Sequence, residues 1–154
     1  MRKSQREITD RAEIDTVIRQ SQVCRLGLTD GDEPYVVPLC FGYDGEALYF
    51  HCAREGRKLD ILRRNNRVSF EFDIVEGIIK NAQACGWGVC YRSVIGVGTA
   101  HLVEKNDEKI KGLAVIMNQY ADGRFIFPDD AVSRTSVIKV IIESVSGKQR
   151  KQTS

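Results

Sequence analysis

Three strand-like segments follow one another with only short turns between them, and this limits the possible folds more than any other feature of the chain. The segments are Val23 to Thr29, Tyr35 to Phe41 and Ala47 to Cys52. Asp30-Gly31-Asp32 joins the first two, and Asp44-Gly45 is a typical two-residue hairpin turn between the next two. Such short turns predict antiparallel pairing, because a parallel pair needs a crossover of a dozen or more residues.

Helical patterns precede, interrupt and follow these strands. Asp10 can cap a first helix, with Glu13 placed as in a capping box. A second helix is predicted from Arg57, after a glycine, and a third is predicted to be capped by Asn106 or Asp107. The predicted order is helix, three strands, helix, two strands, helix, strand.

Proline and glycine mark special positions within two strands. Pro38 cannot donate a ladder hydrogen bond, so its strand should lie at an edge, contain a bulge or be approached by another molecule. Gly96 and Gly98 interrupt a long strand from Val89 to Val103, which predicts a bend or the close approach of another backbone.

The element order favours a mainly β fold with peripheral helices. Meandering strands with short helices outside indicate an antiparallel barrel and not a doubly wound parallel sheet. At 154 residues the chain is expected to form one domain, residues 1–154, with a last strand from Ser136 to Ser144 and a mobile tail over roughly 147–154.

Composition excludes several classes of protein. The hydrophobic share of 42%, the charged share of 29% and the net charge of +2 are those of an ordinary globular domain without the basic surface expected of a nucleic-acid binder. No apolar run approaches the roughly 18 residues of a membrane span. Five cysteines without a secretory signal predict a cytoplasmic protein with reduced thiols.

Metal binding and cysteine–histidine catalysis are both weakly supported. The cysteines form no CxxC pair and the two histidines lie far apart, whereas structural zinc sites have closely spaced ligands. His51 and Cys52 are neighbours in a strand, so their side chains are expected on opposite faces and cannot form a dyad with each other.

An anion site is better supported where the third strand passes into the second helix, at Glu55-Gly56-Arg57-Lys58. First-turn amides lack intrahelical acceptors, and the helix dipole favours a negative charge there. Arg57 and Lys58 are unfavourable at that end, and a bound anion would remove the conflict. Two solvated surface cations remain the alternative. No P-loop or GxGxxG sequence is present.

A second candidate lies in Tyr91-Arg-Ser-Val-Ile-Gly-Val-Gly98. Arg92 and Ser93 offer a guanidinium and a hydroxyl to a ligand, although the polar face of an ordinary strand looks the same. Trp87, in a glycine-rich turn, can stack on a cofactor or cover the core, and core cover is the interpretation we favour.

Five blocks of sequence, in order and spread over nearly the whole chain, resemble one known family. They are Arg25-Leu-Gly-Leu28; Pro34-Tyr-Val-Val-Pro38; Tyr49-Phe-His51 with Gly56-Arg-Lys58; Tyr91-Arg-Ser-Val-Ile-Gly96 with Gly98-Thr-Ala100; and Arg134-Thr-Ser-Val137 with Ser146-Gly-Lys148. The set resembles the FMN-binding split barrels related to pyridoxamine 5′-phosphate oxidase. It is most similar to the nitroimidazole-resistance (Nim-type) proteins.

The resemblance implies a six-stranded antiparallel split β-barrel that forms a homodimer, with two FMN molecules in clefts between the subunits. Arg57 and Lys58 match the pair that holds the flavin phosphate in the oxidase branch, and Ser93, beside Arg92, matches a polar position near it. The strand of Val36, Val37, Pro38 and Leu39 matches the one whose backbone follows the flavin ring. His51 matches a histidine in the Nim-type ligand cleft, and His51 and its neighbour Cys52 are expected among the cofactor-binding residues.

The implied activity is that of an FMN-dependent oxidoreductase. A reduced donor such as a nicotinamide nucleotide would supply electrons to a small acceptor such as a nitroaromatic. His51 would hydrogen-bond the acceptor or donate a proton to it, which a histidine can do near neutral pH. No nucleic acid or membrane partner is implied.

The sequence also departs from the oxidase branch. Val36 stands where that branch has a second phosphate arginine, and Phe41 stands near the position of a lysine. The C-terminal tryptophan and the substrate-binding arginine are absent, and Val145 replaces a tryptophan common in Nim-type proteins. Pyridoxamine phosphate oxidation is therefore not expected. The alternatives are a flavin carrier or sensor, a haem protein with His51 as axial ligand, and a cofactor-free dimer.

Overall fold

The structure, a computed structural model, describes residues 4–151 and contains one antiparallel sheet with four helices. The elements are β1 Glu7–Ile8, α1 Arg11–Gln20, β2 Cys24–Asp30, β3 Glu33–Leu39, β4 Gly42–Tyr43, β5 Ala47–Cys52, α2 Arg57–Arg64, β6 Arg67–Ile79, β7 Gly88–Val103, α3 Asn106–Tyr120, α4 Asp129–Arg134 and β8 Ser136–Arg150. Single 3-10 turns occupy Ser4–Arg6 and Ala84–Gly86.

The sheet has the order β3-β2-β6-β7-β8-β5-β4, with β1 paired to β8. The predicted split-barrel class is confirmed. Six of the eight strands are long, and the count exceeds the predicted six because β1 and β4 are strands of two residues each. Apolar side chains from the inner face of the sheet, including Leu26, Phe50, Phe70 and Val94, form the core together with one face of α1.

The helix α1 follows the predicted pattern. The Asp10 carboxylate accepts a hydrogen bond from the Ala12 amide and caps the helix. Ile14, Val17 and Ile18 are buried against the sheet. The capping residue and the apolar spacing together therefore place this helix with its apolar face on the core.

The sequence predicts that Asp44-Gly45 forms a hairpin between the strand of Pro38 and β5. The turn is present, but the strand that it pairs with β5 is β4 and not β3, so this part of the prediction is wrong. The strand β3 ends at Leu39, and the two-residue strand β4 pairs with β5 instead. Phe41, between β3 and β4, is fully buried in the core. The strands β3 and β5 are not neighbours and lie far apart in the sheet order. The strand β3 is consequently an edge strand, which is one of the positions that Pro38 predicts.

The glycines of β7 mark close contacts, as the sequence predicts. A Cβ atom on Gly96 would overlap the ring of Phe70, and one on Gly98 would overlap the carbonyl oxygen of Ile141 in the neighbouring strand. A register shift between Val97 and Gly98 gives the bend. The glycines therefore allow the centre of the sheet to pack tightly on its own backbone and core.

Two other predictions are wrong near the C-terminal end. The last strand does not stop at Ser144, and residues 147–150 are not a mobile tail. The strand β8 runs to Arg150, where it pairs with Tyr91, and Gly147 pairs with Ile8 in β1. Strand pairing on both sides therefore holds a segment whose polar composition indicated a free tail. Residues 152–154 lie outside the described residues.

The start of α3 also differs from the prediction that Asn106 or Asp107 caps it. Its N-cap is Lys105, which makes no capping hydrogen bond through its side chain. The helix packs on β4 and β5 through two glycines. Gly42 of β4 lies against the backbone of α3, and Gly112 of α3 lies against the side chains of Tyr49 and Val137. No helix within residues 4–151 is long and apolar enough to cross a membrane.

The Asp44 carboxylate stabilises the β4–β5 turn. It accepts hydrogen bonds from the amides of Glu46 and Ala47 and from the hydroxyl of Tyr49. Partial burial acts to raise the pKa of Asp44, but these hydrogen bonds outweigh it and the pKa is lowered. Because the unfolded chain then binds the proton more readily, the carboxylate stabilises the fold above its unfolded pKa, and this effect is lost as pH falls through the folded pKa.

We therefore expect Asp44→Asn to lower the free energy of unfolding at neutral pH, and the difference from wild type to shrink below about pH 4. Urea unfolding of both proteins between about pH 7 and about pH 2 measures this difference. Asp122→Asn, in an exposed loop, is the control. A difference that stays constant over the whole range would contradict the assigned role of the carboxylate.

Candidate functional site

The start of α2 is an uncapped helix N-terminus. Gly56, the N-cap, has φ 138°, a conformation that side chains rarely adopt, and no side chain caps the helix. The Gly56 carbonyl accepts from the amides of Leu59 and Asp60. Leu59 is the first residue whose amide donates a hydrogen bond within the helix. The amides of Arg57 and Lys58 come before it and lack such an acceptor, so they are available to a ligand.

A cavity of about 240 Å³, which we call the α2 cavity, lies at this helix end. Its walls include Tyr35 of β3, Cys52 of β5, and Arg57 and Lys58 of α2. Three separate elements therefore meet around the predicted anion site. Two cations and two free amides at the mouth of one cavity form an arrangement that can bind a phosphate group.

Arg57 has acidic and aromatic partners. Its guanidinium lies 3.2 Å from Glu33 and 3.8 Å from Asp30, at the end of the β2–β3 hairpin. It also lies over the ring of Tyr35, 4.8 Å from the centroid. The side chain is half exposed, so these contacts hold it beside the cavity without excluding solvent.

Lys58 forms no ion pair with any residue of the described chain. Its ammonium is close enough to the Cys52 thiol to act on it electrostatically. Burial raises the pKa of Cys52 and Lys58 opposes that effect, with burial the stronger. The thiol is therefore protonated at neutral pH and is not activated as a nucleophile.

The predicted cofactor residues of β3 alternate between two faces. Val37 and Leu39 pack against the core, whereas Val36 and Pro38 are exposed. Val36, 64% exposed, helps to line a second cavity of about 310 Å³ on the outer face of the sheet, together with Gly27, Ser69 and Val97. No strand of the described chain covers the free edge of β3, so backbone N–H and C=O groups there can reach a ligand.

His51 lies at the end of β5, exposed and on the opposite face from Cys52, which packs against the core. This arrangement agrees with the predicted separation of the two side chains. His51 is not among the residues that line the α2 cavity. Its catalytic role stays a prediction.

Arg92 and Ser93 lie far from the α2 cavity in the same chain. Arg92 donates to Glu76 at 2.6 Å and to Gln20 at 3.0 Å, so its guanidinium joins the β6–β7 hairpin to α1. The Ser93 hydroxyl lies 3.5 Å from the carbonyl oxygen of Lys148. Their roles as cofactor ligands stay predictions.

The strand β2 gives the distance between Ser93 and the α2 cavity, because the two lie near its opposite ends. Ser93 pairs with Asp73, which binds Arg25 at one end of β2, whereas Arg57 contacts Asp30 at the other end. Five residues of strand separate Arg25 from Asp30, which corresponds to roughly 17 Å. The folded chain therefore does not by itself bring the two predicted groups of residues together.

Sequence reasoning missed the acidic partners of Arg57. Asp30 and Glu33 belong to the β2–β3 hairpin, more than twenty residues before α2, and only the folded chain brings them together. The available signal was the acidic run Asp30-Gly-Asp-Glu33 at a hairpin turn, which also describes an ordinary solvated turn. Among residues 4–151, no group of three or more His, Cys, Asp or Glu side chains is placed to hold a metal ion.

Together the sheet order and the helices define a split β-barrel domain. Residues 10–149 match the family described as pyridoxamine 5′-phosphate oxidase, and the chain belongs to that family. A curated relative, an uncharacterized protein of Rhizobium meliloti (strain 1021), is 31% identical over 64 residues. That match covers 42% of this chain and 42% of the relative, less than half of either.

Solved structures agree with the fold. A proposed 5-nitroimidazole antibiotic resistance protein from Bacteroides thetaiotaomicron has a TM-score of 0.84 and 34% identity, covering 92% of this chain and 85% of that one. The FAD and heme binding protein from Mycobacterium smegmatis has a TM-score of 0.87 at 18% identity, with 96% and 74% covered. An FAD-binding protein from Mesorhizobium loti has a TM-score of 0.69 at 23% identity, with 95% and 98% covered. The predicted resemblance to Nim-type split barrels is thus confirmed.

Proposed function

We propose that the protein binds FMN, with the flavin phosphate at the N-terminus of α2. The observation that carries this proposal is the position of Arg57 and Lys58 beside uncapped helix amides and the α2 cavity. A phosphate there would satisfy the free amides and remove the conflict between the two cations and the helix dipole. Family membership and the flavin-binding relatives of the same fold support a flavin as the ligand.

The flavin ring would extend from α2 along β3. The free edge of this strand offers backbone donors and acceptors to the polar edge of the ring, and Val36 offers apolar contact. Pro38 lacks an N–H group, which an edge strand tolerates because it has a neighbouring strand on one side only. The residues present therefore fit a flavin, although this chain has fewer phosphate cations than the oxidase branch.

We further propose that the protein acts as a homodimer with its sites between subunits. Arg92 and Ser93 can approach a flavin held at α2 only from a second copy, given their distance within one chain. Exposed apolar side chains on the outer face and on the β6–β7 hairpin support this, including Val36, Val75, Ile78 and Ile95, each more than half exposed. Patches of this kind are typical of subunit interfaces.

The activity that we propose is electron transfer from a reduced donor, such as a nicotinamide nucleotide, to a small acceptor, such as a nitroaromatic. Bound FMN supplies the electron-transfer chemistry, and the chain fixes its position and surroundings. The resistance protein at 34% identity supports this class of acceptor. Five free cysteines support a location in the reducing cytoplasm.

A turnover assay tests this activity, and the His51→Gln variant tests the role of His51 in it. FMN-loaded protein mixed with NADH or NADPH and a nitroaromatic should lose the acceptor absorbance catalytically. His51→Gln should lower that rate at least about tenfold, because proton donation is lost, while leaving the flavin spectrum unchanged. His101→Gln, the other histidine and also exposed, is the matched control.

Two outcomes would contradict this account at different levels. If His51→Gln protein reacts as fast as wild type, the proton-donor role is wrong. If the wild-type protein binds FMN but catalyses no electron transfer with either nucleotide, the flavin carrier or sensor becomes the correct description.

A further inference from the structure

Two acidic side chains contact Arg57, one of the two cations at the mouth of the α2 cavity. Glu33 lies 3.2 Å and Asp30 3.8 Å from the Arg57 guanidinium. An anion that approaches α2 therefore meets a guanidinium that is partly neutralised and a carboxylate that repels it. Arg57 differs in this respect from Lys58, which has no ionic partner in the described part of the chain.

The two acids differ in how firmly they are held. The Asp30 side chain is 27% exposed and also binds Arg64 at the end of α2, so it joins the β2–β3 hairpin to the helix. The Glu33 side chain is 70% exposed and has Arg57 as its one ion-pair partner in the described chain. An exposed ion pair of this kind is weak and exchanges readily with water or another anion.

We propose that Glu33 is a competing counter-ion of Arg57 that weakens phosphate binding and so sets how strongly the site prefers FMN over unphosphorylated riboflavin. The proposal rests on the proposed function, because it concerns the same site. When a phosphate binds, Arg57 exchanges Glu33 for the phosphate oxygens, and Glu33 turns towards solvent. The β2–β3 hairpin thereby acts as a specificity-determining element for a ligand bound at α2.

The test compares wild type, Glu33→Gln and Asp32→Asn, each titrated with FMN and with riboflavin by fluorescence quenching. Glu33→Gln preserves the shape of the side chain, and Asp32→Asn removes the same charge from the same exposed turn without touching Arg57. We expect Glu33→Gln to lower the Kd for FMN about threefold, the effect of one exposed ion pair. Riboflavin should bind Glu33→Gln and wild type equally, and Asp32→Asn should change the Kd for FMN by less than about 1.5-fold.

The outcomes separate this inference from the proposed function. Equal FMN affinity in wild type, Glu33→Gln and Asp32→Asn overturns the role of Glu33 alone. A gain for riboflavin as large as that for FMN overturns it too, because the effect would not depend on the phosphate. If neither wild type nor Glu33→Gln binds FMN, the proposed cofactor is wrong and this inference fails with it. Thermal unfolding of each variant checks that the fold is retained.

Discussion

Replacing Arg57 and Lys58 together with alanine is expected to weaken FMN binding about 100-fold, because two charge-assisted contacts to the phosphate are lost. The fold should remain intact, since the Arg57 ion pairs are exposed and contribute little to stability. Equilibrium dialysis with FMN measures the binding change, and urea unfolding measures the stability.

Two controls show whether the loss of affinity depends on the phosphate and on these two cations: a ligand without phosphate, and a variant that loses two positive charges elsewhere. Riboflavin lacks the phosphate, so its affinity should change far less than that of FMN in the double variant. Lys109→Ala with Lys111→Ala removes two positive charges from α3 and should leave FMN binding nearly unchanged. A double variant of Arg57 and Lys58 that stays fully loaded with FMN would show that the phosphate binds elsewhere.

A large effect on stability is expected at Gly42, where β4 meets α3. An alanine Cβ there would lie 2.5 Å from both the Ile116 amide nitrogen and the Val115 carbonyl carbon, both backbone atoms of the helix. Backbone cannot rotate away as a flexible side chain can, so α3 must shift from the sheet. Gly42→Ala should lower the free energy of unfolding by about 3 kcal/mol, measured by urea denaturation.

Gly77 provides the matched control for this substitution. It also lies in a strand, but no atom beyond Gly77 itself and its two chain neighbours lies within 4 Å of a Cβ built there. Gly77→Ala should therefore change stability by no more than about 0.5 kcal/mol. If Gly42→Ala is as stable as Gly77→Ala, the close packing of α3 on β4 is incorrect.

Local sequence signals predicted local structure well in this chain. Asp10 caps α1, Gly56 precedes α2, and Gly96 and Gly98 allow close backbone contacts. Pro38 lies in an edge strand, which is one of the positions its missing N–H group requires. These predictions succeeded because each depends on the chemistry of one residue and its immediate neighbours.

Predictions that depended on which segments meet were less successful. The strand β5 pairs with β8, nearly ninety residues later, and Gly147 pairs with Ile8 near the start of the chain. No local pattern encodes such partners. The same limit applies to the site: Arg57 and Lys58 were identifiable from the helix start, but Glu33 as the partner of Arg57 and the structural bonds of Arg92 were not.

The most direct test of the central claim is the visible absorption spectrum of the purified protein before and after addition of FMN. A bound flavin gives bands at about 370 and about 450 nm that remain with the protein on desalting, and this is the result we predict. A Soret band at about 400 nm would instead indicate haem, with His51 as a ligand to be tested. A colourless protein that retains no FMN would contradict the proposed function while leaving the split-barrel fold unaffected.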